Sequence, residues 1–148
     1  MGKYVLSIDQ STQGTKALLF DEGGVLVSRA DLPHRQIIND KGWVEHDLEE
    51  IWHNTVQVVK DLVGKAGIDK NDISVLGISN QRETAACWDK VSGAPVYNAI
   101  VWQCARAADI CRQIEAEGRG QMIRKKTGIP LSPYFTGAKL AWISLQEN

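Results

Sequence analysis

The 148 residues include few cysteines, prolines, methionines and phenylalanines: three, four, two and two. Cys87, Cys104 and Cys111 form no C-x-x-C pair, and their odd number fits a reducing, cytoplasmic compartment better than a disulfide framework. No apolar run approaches the roughly 20 residues that span a membrane. The first apolar run stops at Asp9, too short for a secretory leader, and Leu6 stands where an N-myristoylation signal after Gly2 needs Ser or Thr. Charge of one sign is lacking too. Lys plus Arg number 17 and Asp plus Glu 18, so no net field selects nucleic acid or an anionic membrane. What is present, 43% hydrophobic and 24% charged residues, is enough to bury a core without disulfides or a structural metal.

Patterning predicts an α/β chain. Tyr4 to Ile8 reads as a strand, followed by a polar, small-residue cluster at 9–15 and a second strand, Ala17 to Phe20. Asp21-Glu22-Gly23-Gly24 signals a turn into a third strand, Val25 to Ala30, so the chain opens as an antiparallel meander. A helix starts after Asp47 as N-cap, with Glu50 completing a capping box, and ends at Gly64 or Gly67. Its apolar stripe is Leu48, Ile51, Trp52, Thr55, Val59, Leu62 and Val63. The near-continuous apolar run Ile73 to Ser79 predicts a strand covered on both faces. A hairpin over 85–101 and helices at 105–117, 121–126 and from Gly137 to Asn148 follow, and Gly118 to Gly120 reads as a helix stop.

Two stretches carry chemistry. Asp9-Gln10-Ser11-Thr12-Gln13-Gly14-Thr15-Lys16 combines a carboxylate at a strand end with hydroxyls, a glycine and a cation. Such a hairpin suits a polyphosphate, with Asp9 placed to help hold hydrated Mg²⁺; the same residues also serve as turn formers. No Walker A pattern occurs. Asn80-Gln81-Arg82-Glu83-Thr84, at the end of an apolar strand, sets fixed donors beside acceptors, which suits hydroxyl groups, or forms a solvated Arg–Glu pair. Trp102 and Tyr134 offer aromatic faces for the C–H side of a polyol. Trp43, Trp52, Trp88 and Trp142 are assigned to packing. Cys104 and Cys111 fall with Ala107, Ala108 and Ile114 on one helical face, so they too belong to the core. His34, His46 and His53 are scattered and read as structural or exposed.

Taken together, S-I-D-Q-S-T-Q-G-T-K at 7–16, G-W-V-E-H-D at 42–47, G-I-S-N-Q-R-E-T at 77–84, N-A-I-V-W-Q-C at 98–104 and P-Y-F-T-G-A-K-L-A-W at 133–142 resemble the N-terminal part of the FGGY carbohydrate kinases. The resemblance runs through nearly the whole chain in order. It implies an α/β, RNase H-like, actin-type lobe covering residues 1–148, with a mixed sheet and helices on both faces. The implied activity is transfer of the ATP γ-phosphate, with Mg²⁺, to a small polyol or sugar hydroxyl, glycerol first. Arg82, Glu83, Trp102 and Tyr134 would bind the polyol. Residues Asp9 to Lys16, including Gln10, Ser11, Thr12, Gln13, Gly14 and Thr15, would face the phosphates, with Asp9 near the metal.

Ser11, Gln13, Gly14 and Lys16 depart from the pattern usual in glycerol-phosphorylating members, as does Leu131-Ser132, where an Asp is common. Xylulose, erythritol or ribitol therefore stay open as substrates, and so does a non-catalytic actin-like binding module. The catalytic base and a C-terminal lobe are expected outside this chain, which would not be catalytic alone; a homo-oligomer is possible. Apolar surface is expected near Leu140 to Leu145, where a partner half would pack.

Overall fold

The computed structural model describes residues 3–146; Gly2 and the expected helix end at Asn148 lie outside the described residues. Strands β1 (Tyr4–Gln10), β2 (Gly14–Phe20), β3 (Leu26–Pro33), β4 (Ile37–Ile38) and β5 (Val44–His46) precede helix α1 (Leu48–Ala66). A 3₁₀ turn (Lys70–Asp72), β6 (Ile73–Ser79), β7 (Ala99–Ile100) and helices α2 (Ala108–Ala116), α3 (Gly120–Thr127) and α4 (Thr136–Gln146) complete the order. The chain divides into two compact units, the residues up to Arg35 with Asp47–Gln81, and Gln36–His46 with the residues from Arg82 on.

In the first unit the sheet runs β3-β2-β1-β6. β1 with β2 and β2 with β3 are antiparallel, the expected meander, and β6 joins β1 in parallel. The first two strands extend further into the polar cluster than alternation predicts, because Asp9 pairs with Lys16 and Gln10 with Thr15 across the ladder. Antiparallel hydrogen bonding is a main-chain property and does not stop where side chains turn polar.

α1 closes one face of this sheet. The Asp47 carboxylate caps it by accepting from the N–H groups of Glu49 and Glu50, and Gly67, at φ 64°, ends it in the left-handed conformation. Glu50 does not complete the capping box; its Oε1 accepts from the Arg35 N–H at 2.8 Å. Leu6, Ala17, Leu19, Val58 and Leu62 form the core between sheet and helix. Trp52 lies off that stripe and is 66% exposed. The expected stripe was rotated, since Val58 rather than Trp52 faces inward.

β6 has the expected bounds and a different environment. As an edge strand it leaves Val75 56%, Leu76 51% and Ile78 65% exposed, so apolar composition here does not report cover on both faces. The only α-helix of this unit, among the described residues, is α1, which packs on β2 and β3.

The second unit holds an antiparallel sheet, β4-β5-β7. The expected hairpin over 85–101 survives as bridges between Ala85 and Ile100 and between Trp88 and Pro95. Val44, Ile100, Val101, Cys104 and Ile143 form one core cluster, flanked by Trp43, Tyr97 and Trp142. Ala107, Cys111 and Ala138 form another. Trp88, assigned to packing, is 66% exposed. α2 starts at Ala108, later than expected, and Gly118, at φ 73°, ends that segment as expected. Of the apolar surface expected on α4, Leu145 is exposed and Leu140 partly so, while Ile143 is buried.

The two environments have different mutational costs. Leu62→Ala is expected to lower unfolding free energy by about 2–5 kcal/mol. Ile78→Thr is expected to change it by no more than ~0.5 kcal/mol. Urea denaturation of both variants checks the contrast; a large loss from Ile78→Thr would contradict the exposure of its side chain.

Candidate functional site

The hairpin of the first unit is tighter than a nine-to-sixteen loop. The turn proper is Ser11 to Gln13: the Ser11 N–H and hydroxyl both donate to the Gly14 carbonyl, at 3.0 and 2.9 Å. Gly14 is required there because a Cβ would collide with the Leu32 carbonyl oxygen. Gln10 and Thr15 point inward. The fully buried Thr15 hydroxyl donates to Gln10 Oε1 at 2.8 Å and lies 2.8 Å from His34 Nε2, while Gln10 Nε2 donates to Thr55 on α1 at 2.7 Å. The side chains of these two brace the hairpin from inside.

On the outer side Lys16 Nζ donates to Asp9 Oδ2 at 3.0 Å, both side chains being partly exposed. Lys16 also pairs in register with Asp31, whose carboxyl is held below its usual range chiefly by the Arg29 hydrogen bond. The outer face of the hairpin is therefore a row of neutralised charge. Thr12 and Gln13 stand at the tip, with Thr12 Oγ1 3.5 Å from Gln81 Nε2.

The polyol candidates all lie in the second unit. Trp102 and Tyr134, each about two-fifths exposed, meet edge to face with ring centroids 6.1 Å apart, and Phe135 backs Tyr134 at 5.2 Å. The Thr84 hydroxyl accepts from the Trp102 N–H at 3.2 Å, joining the Arg82-Glu83-Thr84 segment to the aromatic one. Arg82 is exposed and, among the described residues, has no ion-pair partner. Glu83 is half-buried and sits at φ 61°. No Arg82–Glu83 pair forms, so the solvated-pair alternative for this motif is not what the structure shows.

Three polar residues that patterning did not single out are buried in the same unit. Lys139, on α4, is fully buried and donates to the carbonyls of Glu83 at 2.8 Å and Tyr134 at 2.5 Å. Arg106 has no exposed side-chain surface and donates to Glu45 Oε1 at 2.5 Å. Its guanidinium lies 4.6 Å from the Trp43 ring, 4.8 Å from Trp142 and 5.9 Å from Tyr97. Glu45 also accepts from Tyr97 Oη at 3.1 Å and Asn98 Nδ2 at 2.8 Å. Only the lone charge of Lys139 amid the apolar α4 residues hinted at any of this. The three cysteines are free, and among the described residues no group of three or more His, Cys, Asp or Glu is placed to hold a metal. No described helix is long and apolar enough to cross a membrane.

A parallel strand added to an antiparallel meander, with a polar hairpin after its first strand, is the architecture of an actin-like ATPase lobe. The family model for the N-terminal domain of the FGGY family of carbohydrate kinases matches residues 4–148. The chain belongs to that family. It is 48% identical over 143 residues to a glycerol kinase of Pseudarthrobacter chlorophenolicus and 50% identical over 141 to glycerol kinase 2 of Thermotoga maritima. These matches take in 97% and 95% of this chain and 28% of each relative. Among solved structures, the glycerol kinase of Plasmodium falciparum with ADP matches 98% of this chain at TM-score 0.86 and 39% identity. A ligand-bound xylulose kinase of Lactobacillus acidophilus matches 98% at 0.87 and 27%. The chain spans 29% of each of those structures.

The Glu45 network carries a pH dependence. Burial opposes the carboxylate, but hydrogen bonds from Asn98 and Arg106, the Arg106 charge and the Tyr97 hydroxyl outweigh it and hold the carboxyl below its usual 4.5. A depressed carboxyl stabilises the fold fully above its unfolded pKa, and that contribution is lost as pH falls through the folded value. Thermal melts are expected to show Glu45→Gln less stable than the parent at pH 7, with the gap narrowing below about pH 4.5. A gap constant down to pH 2 would refute the assignment.

Proposed function

We propose that this chain is the substrate- and phosphate-facing N-terminal lobe of an ATP-dependent polyol kinase, with glycerol as the substrate. The observation that carries the reading is the cluster in the second unit: unpaired Arg82, Glu83 held by its main chain, and the Trp102–Tyr134 edge pair. Glu83 would accept from substrate hydroxyls, Arg82 would donate to their oxygens, and the two rings would cover the C–H face. Identities of 39–50% to glycerol kinases, against 27% to a xylulose kinase, favour glycerol over a ketose.

The hairpin fits a nucleotide phosphate in its chemistry. Thr12, Gln13 and the turn main chain offer small polar groups, and Lys16 offers a cation once Asp9 turns to a metal. Asp9, a partly exposed oxygen donor, suits hydrated Mg²⁺. With one such carboxylate, the ion would be held mainly by phosphate oxygens and water. Bound Mg²⁺–ATP would supply the γ-phosphoryl group and neutralise charge on it. The chain's own residues bind and orient the attacking hydroxyl. In this reading the base that takes its proton, and a C-terminal lobe, come from outside these 148 residues.

Calorimetric titration of the full-length protein carrying this chain with glycerol, xylulose, erythritol and ribitol tests the proposal. Glycerol is expected to bind best, and Glu83→Gln to weaken it about 10–100-fold, the value of a hydrogen bond to a charged group. No polyol binding, or equal binding by Glu83→Gln, would overturn the reading.

A further inference from the structure

Lys139 is the fourth residue of α4 and none of its surface is exposed. An ammonium removed from water costs several kcal/mol unless charge or dipoles replace its hydration. Among the described residues no carboxylate lies within ion-pair distance, 4.0 Å, of it. Its hydrogen-bond acceptors are two main-chain carbonyls, those of Glu83 and Tyr134, the first 56 positions away in sequence. Its neighbours in the chain, Ala138 on one side and Ile143 one turn on, are buried and apolar, so an apolar side chain of equal length would fill the space at lower desolvation cost.

Glu83 adds an independent observation. Among the described residues it is the only non-glycine at positive φ, 61°. A bulky residue held there costs of order 1 kcal/mol or more and persists only where its surroundings over-determine it. The Lys139 bond to its carbonyl is such a constraint. The same ammonium fixes the carbonyl of Tyr134 and lies 5.8 Å from that residue's ring.

We infer that Lys139 is a positioning residue of the polyol site, a buried cation that clamps the main chains presenting Glu83 and Tyr134 in one fixed relation. The inference rests on the polyol reading above. It assigns Lys139 no contact with substrate; it acts through the placement of the carboxylate and the ring. Burial, which also pushes the amine below its usual range against the opposing influence of Cys104 and Glu83, is a cost to stability that the clamp incurs.

A side chain kept for stability and one kept for position respond differently to Lys139→Met, which preserves length and removes charge. In the full-length protein carrying this chain, Lys139→Met is expected to raise the KM for glycerol about 10–100-fold, as small misplacements do. The KM for ATP should stay within about two-fold, and the melting temperature should change little, since relief of the buried charge offsets the two carbonyl hydrogen bonds lost. Lys139→Leu is made alongside and should behave alike. Failure of both to fold, parallel changes in both KM values, or an unchanged glycerol KM would each overturn the inference. Glu83→Gln, measured in parallel, separates the two levels: if it leaves glycerol use intact the polyol reading falls, and if it alone impairs glycerol use only the role of Lys139 falls.

Discussion

The second unit depends on the ion pair between Arg106 and Glu45. Neither the guanidinium, with no exposed side-chain surface, nor the carboxylate, 12% exposed, could be buried alone. Each is stabilised by the other and by what surrounds it: three aromatic rings around the cation, a phenol and an amide on the anion. Breaking such a pair by removing one partner costs about 3–5 kcal/mol, because the remaining charge stays buried. The pair also fixes geometry. Glu45 belongs to β5, Tyr97 and Asn98 lead into β7, Arg106 precedes α2 and Trp142 lies on α4, so one interaction ties together the elements that flank the turns carrying Trp102 and Tyr134.

Lys139 repeats that arrangement with dipoles in place of a counter-ion. Two carbonyls take over the hydration of the ammonium, and they belong to the residues whose side chains the polyol reading uses. A carboxylate partner would have satisfied the charge more fully and held no main chain. The choice of carbonyl acceptors therefore suits position more than stability. The first unit uses a neutral version of the same device, in which Gln10, Thr15 and Thr55 link the hairpin to α1, leaving Ser11 to Gln13 as a short turn on a rigid base.

How much of this was legible depends on the range of the determining interaction. Asp47 and Gly67 announce the ends of α1 within one turn of chain, and the bounds of β6 follow from a continuous apolar run. The residues of the proposed polyol site were legible as types: a strand end rich in hydrogen-bonding groups, two aromatics in polar segments. Trp52 and Trp88 were misjudged because tryptophan's apolar character says nothing about which side of an element it occupies. The cover expected over β6 failed for a related reason, since a strand's composition does not reveal whether its neighbours are present. Glu45 and Arg106 are 61 positions apart, and no local pattern marks a glutamate in a three-residue strand as the partner of an arginine before a distant helix.

The positive φ of Glu83 belongs to the same long-range class, and it links the fold to the proposed polyol site. A glycine at that position would adopt the conformation with no strain but would bring no carboxylate. A glutamate on a relaxed backbone would bring the carboxylate in another direction. Holding this side chain on this backbone therefore needs an outside constraint, and the Glu83 carbonyl is the atom that a distant helix grips. The strain and the buried cation account for each other: either one alone would be an unexplained cost, and together they leave a carboxylate and an aromatic ring in a fixed relation.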